Sequence, residues 1–207
     1  MSALVSKVED FATNKLTSNN DAKYLYHNLR HTQRVVESTL ELINGEKIED
    51  KNAEQLLVAA WFHDLGYTVS YNNHEEHSCE FAIEFLTKND CTSKYIENVC
   101  SLIMATVSDY EPKNDFEKII RDADSSHFAA KSFMATSELL REELASIGRQ
   151  NFSIADWREE NIRLLRTKHH FYTEYALENW QKGKDKNIKR LIKAKKKNNQ
   201  SVRKESL

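Results

Sequence analysis

Four glycines and one proline in 207 residues leave this chain few places to break a helix or turn sharply. Both residue types are disfavoured inside helices, so the long stretches between them favour continuous helix. Strand-like alternation of apolar and polar residues is hard to find, whereas helical spacing recurs. Leu4, Val8, Phe11, Ala12 and Leu16 form one stripe, and Val35, Val36, Thr39, Leu40 and Ile43 form another. The pattern predicts an all-α chain folded as a compact single-domain helical bundle. Further helices are expected over the apolar run LLVAAWFHDL and over residues 75–88, 93–107, 115–121, 124–146, 154–169 and 170–181. Gly45, Gly66, Gly148 and Gly183 each follow a periodic segment and read as helix ends. Pro112 marks the loop SDYEPKND, where Asp115 can cap the helix beyond.

A chain of this size with 40% hydrophobic residues can bury a real core. It has no run of about 18 apolar residues that could cross a bilayer, and MSALVSKVEDF carries acids where a secretory signal needs an apolar stretch. A cytoplasmic location with no membrane partner is expected. The three cysteines, Cys79, Cys91 and Cys100, are odd in number and lack CxxC spacing, which argues against a disulfide framework or a zinc knuckle. They read as packing or surface residues. The net charge of −2 is unevenly placed: residues 182–206 hold eleven Lys and Arg against Asp185 and Glu205. This predicts one helical domain over residues 1–181 and a basic, lysine-rich C-terminal helix or tail over 182–207. No aromatics interleave the lysines, so a solvated helix is favoured over a nucleic-acid surface.

The stretch WFHDLGY at 61–67 is harder to explain. It places His63 and Asp64 in an apolar run, where an ionised carboxylate needs a cation or several donors beside it. Alone, such a pair reads as a helix cap next to a satisfied core histidine. Other polar residues join it, however. YHNLRH at 26–31 puts His27 and His31 on one face if the segment is helical, and IIRDADSSHF at 119–128 offers Asp122 and Asp124 where an apolar run ends. His31, His63, Asp64 and one of these aspartates make a mixed nitrogen and oxygen set suited to a divalent ion, with Mn, Fe, Mg, Co, Ni and Zn all compatible.

A single His, then His-Asp, then a distant Asp along a helical chain resembles the HD-domain superfamily of metal-dependent phosphohydrolases. The resemblance implies His31, His63, Asp64 and Asp124 as metal ligands and gives Asp122 a capping or supporting role, with Asp122 the alternative ligand. YHN ahead of a ligand histidine is similar to a motif of class I cyclic-nucleotide phosphodiesterases, whose histidine protonates the leaving ribose oxygen; this implies His27 as the acid. Those enzymes carry a further histidine-bearing segment and a glutamine purine clamp, and HDLGYTVSYNNHEEHS matches neither. NHEEHS at 73–78 resembles the segment after the HD pair in HD-type nucleotide triphosphohydrolases. It implies that His74 contacts phosphate or relays a proton, with Glu75 orienting it.

The same stretch also reads as an Asn73 cap followed by Glu75 and Glu76 in a first helical turn. His77 faces elsewhere, either exposed or as a ligand to a second ion. Arg30 and Arg121 read as partners of surface acids, and His127, His169 and His170 as packing or surface groups. Leu56, Leu57, Trp61, Phe62 and Leu65 read as the core that holds the HD segment. The expected activity is hydrolysis of a nucleotide or related small-molecule phosphoester. The alternatives are a cyclic-nucleotide phosphodiesterase in particular, or a non-catalytic module that binds metal and nucleotide.

Overall fold

The stripes read from the sequence wind into ten α-helices, with no strand among the described residues. The structure is a computed structural model that describes residues 2–18 and 23–205, apart from the side chains of residues 50 and 196–205. The helices pack as two units.

The first unit holds α1 (Ala3–Ser18), α2 (Leu29–Gly45), α3 (Asp50–Phe62), α4 (His74–Lys88), α5 (Ser93–Met104) and α6 (Asp115–Asp124), with a 3-10 turn at Leu65–Thr68 between α3 and α4. Its centre is α3, which packs against the other five helices. Every residue from Gln55 to Tyr67 is buried, as a helix apolar on all sides requires. Phe62 of α3 meets Phe11 of α1 and Phe85 of α4 at ring distances of 6.0 and 5.8 Å, an aromatic cluster behind the His-Asp segment.

Several helix ends differ from the sequence reading. α3 stops at Phe62, so His63 is its C-cap and Gly66 lies inside the 3-10 turn. Asn114, not Asp115, caps α6, its Oδ1 accepting the Glu117 N–H at 3.0 Å. Asn73 precedes α4 in a left-handed conformation, φ 54°, and its side chain accepts no cap hydrogen bond. Asp124 ends α6 instead of starting a helix; a 3-10 turn follows, and α7 begins only at Phe133. Among the described residues Arg121 pairs with no surface acid. It donates to the carbonyls of Ala105, Val107 and Ser108 at 2.6, 2.7 and 3.1 Å, holding the chain that leaves α5.

The second unit contains segment 23–26 with α7 (Phe133–Ser146), α8 (Ile154–Arg163), α9 (Glu174–Asn179) and α10 (Gln181–Glu205). Phe133, Leu165 and Leu191 form its buried cluster, flanked by Phe128, Met134, Ile162 and Ile188. The first half of α10 is therefore not a solvated basic helix. Lys184, Asn187 and Leu191 are buried at helical spacing, and Asn187 Nδ2 donates to the carbonyls of Phe128 and Ala130 at 2.9 and 2.8 Å. Gly183 lies within α10 and ends no helix; a Cβ there would stand 2.4 Å from the Ala129 carbonyl oxygen. The end of the basic run, residues 206–207 and the side chains from 196 onward, lies outside the described residues.

Candidate metal centre

Three helix ends bring the polar residues of the first unit together. The Asn28 side chain caps α2 by accepting the N–H groups of Arg30 and His31 at 3.0 and 3.4 Å, which fixes His31 in the first turn. His63 and Asp64 follow the last turn of α3, and Asp124 closes α6. His31 Nε2 lies 3.0 Å from Asp64 Oδ2 and 3.3 Å from Asp124 Oδ1. His63 Nε2 lies 3.2 Å from Asp64 Oδ2, 3.8 Å from Asp124 Oδ1 and 3.2 Å from His31 Nε2. The two histidines and Asp64 are buried, and the Asp124 side chain is one-third exposed.

This arrangement suits a cation. Among the described residues Asp64 Oδ2 is buried, with the Nε2 atoms of His31 and His63 beside it at 3.0 and 3.2 Å but not aligned as good hydrogen-bond donors, a costly condition for a carboxylate unless positive charge sits there. His63 Nδ1 donates to the Ala60 carbonyl at 2.8 Å, so once the ring is neutral its Nε2 lone pair faces the cluster, as a metal-ligating imidazole needs. A ligand atom from each of His31, His63 and Asp124 falls within 4.8 Å of the others, and Asp64 lies within 3.2 Å of both imidazoles. His31 is set differently. Arg34 Nη2 donates to its Nδ1 at 2.6 Å, so in the neutral ring Nε2 carries the proton and directs it to Asp64 and Asp124. Coordination through Nε2 requires that proton to move and Arg34 to shift.

The electrostatics show the same appetite for positive charge. Burial opposes a charge on His63, yet the Asp64 carboxylate, with Asp124 and the Ala60 carbonyl, raises it to about 9. Burial likewise opposes ionisation of the two aspartates. The neighbouring imidazoles overcome it, holding Asp64 well below the usual carboxylate range and Asp124 at about 2.

Two further histidines border the cluster. His74, the first residue of α4, points Nε2 at Asp64 Oδ1 from 3.6 Å, while its Nδ1 lies 3.3 Å from both Glu75 Oε2 and the Tyr71 carbonyl. His27 precedes the Asn28 cap, so it is not one helical turn from His31; the ring centroids still come within 5.8 Å. Tyr67 separates the two, stacking on His27 at 4.0 Å and on His74 at 3.9 Å. Ser78 joins this support: its hydroxyl donates to the His63 carbonyl at 2.7 Å and accepts the Gly66 N–H at 2.8 Å, clamping the His-Asp turn to α4. Gly66 is required because a Cβ there would overlap the His74 carbonyl oxygen at 1.8 Å. The sequence reading did not single out Tyr67, Ser78 or Arg34. Tyr67 belonged to the stretch that drew attention, whereas Ser78 and Arg34 carry no signal beyond helical spacing from His74 and His31.

The HD domain family model matches residues 28–129. The protein belongs to the HD-domain superfamily. That superfamily consists of metal-dependent phosphohydrolases, and HD domains bind divalent metals. In this HD protein the matched segment spans His31, His63, Asp64, His74 and Asp124, while His27 lies one residue ahead of it. A crystal structure of a Lactobacillus plantarum protein, a structural genomics target, shares the fold at a TM-score of 0.67 and 15% identity, covering 95% of this chain and 97% of that one. No curated protein matches the sequence.

The remaining residues considered from sequence sit outside the cluster. Asp122 is fully buried on α6 but is not among the convergent ligand atoms. His77 turns to Glu80, its Nδ1 3.1 Å from Oε2. His127 is buried in the second unit, beside the Tyr26 hydroxyl at 3.3 Å. No helix among the described residues is long and apolar enough to cross a membrane.

Proposed function

We propose that this HD-domain protein hydrolyses a phosphoester of a nucleotide or related small molecule at the cluster of His31, His63, Asp64 and Asp124. The observation that carries this reading is the convergence of imidazole nitrogens and carboxylate oxygens around buried Asp64, with His27 and His74 on either side of Tyr67 at its edge. A divalent cation held there would polarise a phosphoryl oxygen and make a bound water more acidic.

Hydrolysis adds water across a P–O bond, so one proton must leave the water and another must reach the departing oxygen. In this reading His27 donates the proton to the leaving oxygen. His74, held at Nδ1 by Glu75 and the Tyr71 carbonyl, presents Nε2 to the phosphate or takes the water's proton. Tyr67 sets the spacing between these two rings, and the Asp64 and Asp124 carboxylates hold the positive charge that faces a phosphate.

The test is a phosphoester panel containing nucleoside monophosphates, triphosphates and cyclic nucleotides, run on the metal-loaded protein with His27→Ala and His74→Ala variants. Turnover that falls at least a hundredfold in His27→Ala while metal content stays at the parent level supports the reading. Preference for a cyclic nucleotide would select the phosphodiesterase that YHN suggests. Nucleotide binding without turnover by the loaded parent would overturn the proposal in favour of a binding module.

A further inference from the structure

Two cysteines that the metal centre does not use face each other across α4 and α5. Cys79 Sγ donates to the Cys100 carbonyl at 3.6 Å, and Cys100 Sγ lies 4.0 Å from the Cys79 carbonyl. Each thiol therefore reaches the other residue's main chain, and the two side chains cross in the seam between the helices. Both residues are partly exposed. The pair is also asymmetric. Its contact with Cys100, together with burial, pushes the Cys79 thiol far up, while the same contact holds Cys100 below its ordinary value. Two thiols that reach each other's main chain across a helix seam, one of them held below its ordinary value, are placed as a thiolate that attacks an incoming disulfide and a neighbour that resolves the adduct. Cys91 is placed otherwise: its Sγ turns to the Asn89 carbonyl at 3.9 Å, and burial, Glu54 and Asp90 push it up.

We propose that Cys79 and Cys100 form a thiol–disulfide exchange site that closes into an intrachain disulfide on meeting a low-molecular-weight disulfide. The Cys100 thiolate attacks one sulfur of the small disulfide, forming a mixed disulfide and releasing one thiolate. Cys79 then attacks the Cys100 sulfur of that adduct and releases the second. The two cysteines lose two electrons and two protons, and the small disulfide takes up both as two thiols. The bridge staples α4 to α5. Because Ser78, next to Cys79, clamps the carbonyl of His63 and the N–H of Gly66, the staple anchors the helix that holds the His-Asp turn. This inference does not rest on the phosphohydrolase reading.

The test treats the reduced full chain with oxidised glutathione and counts free thiols. The expected result is a fall from three thiols to one, a peptide map joining Cys79 to Cys100, and a rise in Tm that dithiothreitol reverses. Cys91→Ser should still close the bridge, whereas Cys79→Ser should stop at a stable glutathione adduct on Cys100. Three thiols still free after treatment, a crosslink through Cys91, or a disulfide between chains would each overturn the proposal.

Discussion

Gly66→Ala tests whether the close approach of α4 to the His-Asp turn holds the site together. The new methyl carbon would stand 1.8 Å from the His74 carbonyl oxygen and 2.7 Å from its carbonyl carbon, where ordinary contact begins at 3.4 Å. The start of α4 must therefore retreat by about 1.6 Å, the difference between 3.4 and 1.8 Å. A helix displaced that far draws the Ser78 hydroxyl away from partners now at 2.7 and 2.8 Å, leaving the Gly66 N–H and the His63 carbonyl without it. Overpacking of this kind costs about 1–3 kcal/mol, and an orphaned buried backbone group about 1–3 kcal/mol more. A loss of about 2–6 kcal/mol is expected, a large share of the roughly 5–15 kcal/mol that holds a typical domain. Urea unfolding reads it as a midpoint lowered by on the order of 1–2 M, with phosphoester turnover falling as His74 leaves Asp64. Gly148→Ala is the control: φ there is +71° but nothing lies within 4 Å, so only a left-handed backbone penalty of roughly 1–2 kcal/mol applies. A Gly66→Ala protein as stable and active as the parent would refute the claim that close approach positions His74.

Three other perturbations probe the ion site and the core of the second unit. Divalent affinity, measured by chelator competition, should rise from pH 6.5 to about 9, because an ion displaces the His63 proton; a flat profile would contradict this. In chelated protein the charged His63 contributes stability that is complete below pH 6.5 and lost as pH rises through about 9, while ionised Asp124 contributes above 3.8 and is lost as pH falls through about 2. Arg34→Gln removes the donor on His31 Nδ1 and offers that nitrogen an acceptor, so ion affinity should increase by roughly tenfold; weaker binding would show that Arg34 supports the liganding form. Leu191→Ala should cost about 2–5 kcal/mol, read by denaturant unfolding, because Leu191 is only 2% exposed against Phe133 and Leu165; a neutral result would mean that α10 is the solvated helix its charge suggests.

Much of the fold was legible because helix propensity and apolar spacing agreed along most of the chain, as for α4 at His74–Lys88. The misreadings cluster where tertiary contact decides. Gly66 and Gly183 look like helix ends in sequence, yet each is needed because a carbonyl from a distant residue, His74 or Ala129, presses against it. Charge likewise concealed the buried face of α10, since Lys184 is buried with its ammonium donating to the His169 carbonyl at 2.6 Å. At the site, histidines and aspartates stood out because polar residues in apolar runs are costly. Tyr67 and Ser78 did not, because an aromatic or a serine at such positions is ordinary, and only the folded chain reveals the stack and the clamp.

The chemistry of the site turns on which residues hold the ion. Elemental analysis of the parent protein beside Asp64→Asn, Asp122→Asn and Asp124→Asn tests it directly, each sample reconstituted with divalent metal and desalted. The expected result is near-stoichiometric metal in the parent and in Asp122→Asn, with loss in Asp64→Asn and Asp124→Asn. Metal retained by Asp124→Asn but lost from Asp122→Asn, or absent from every sample, would contradict it.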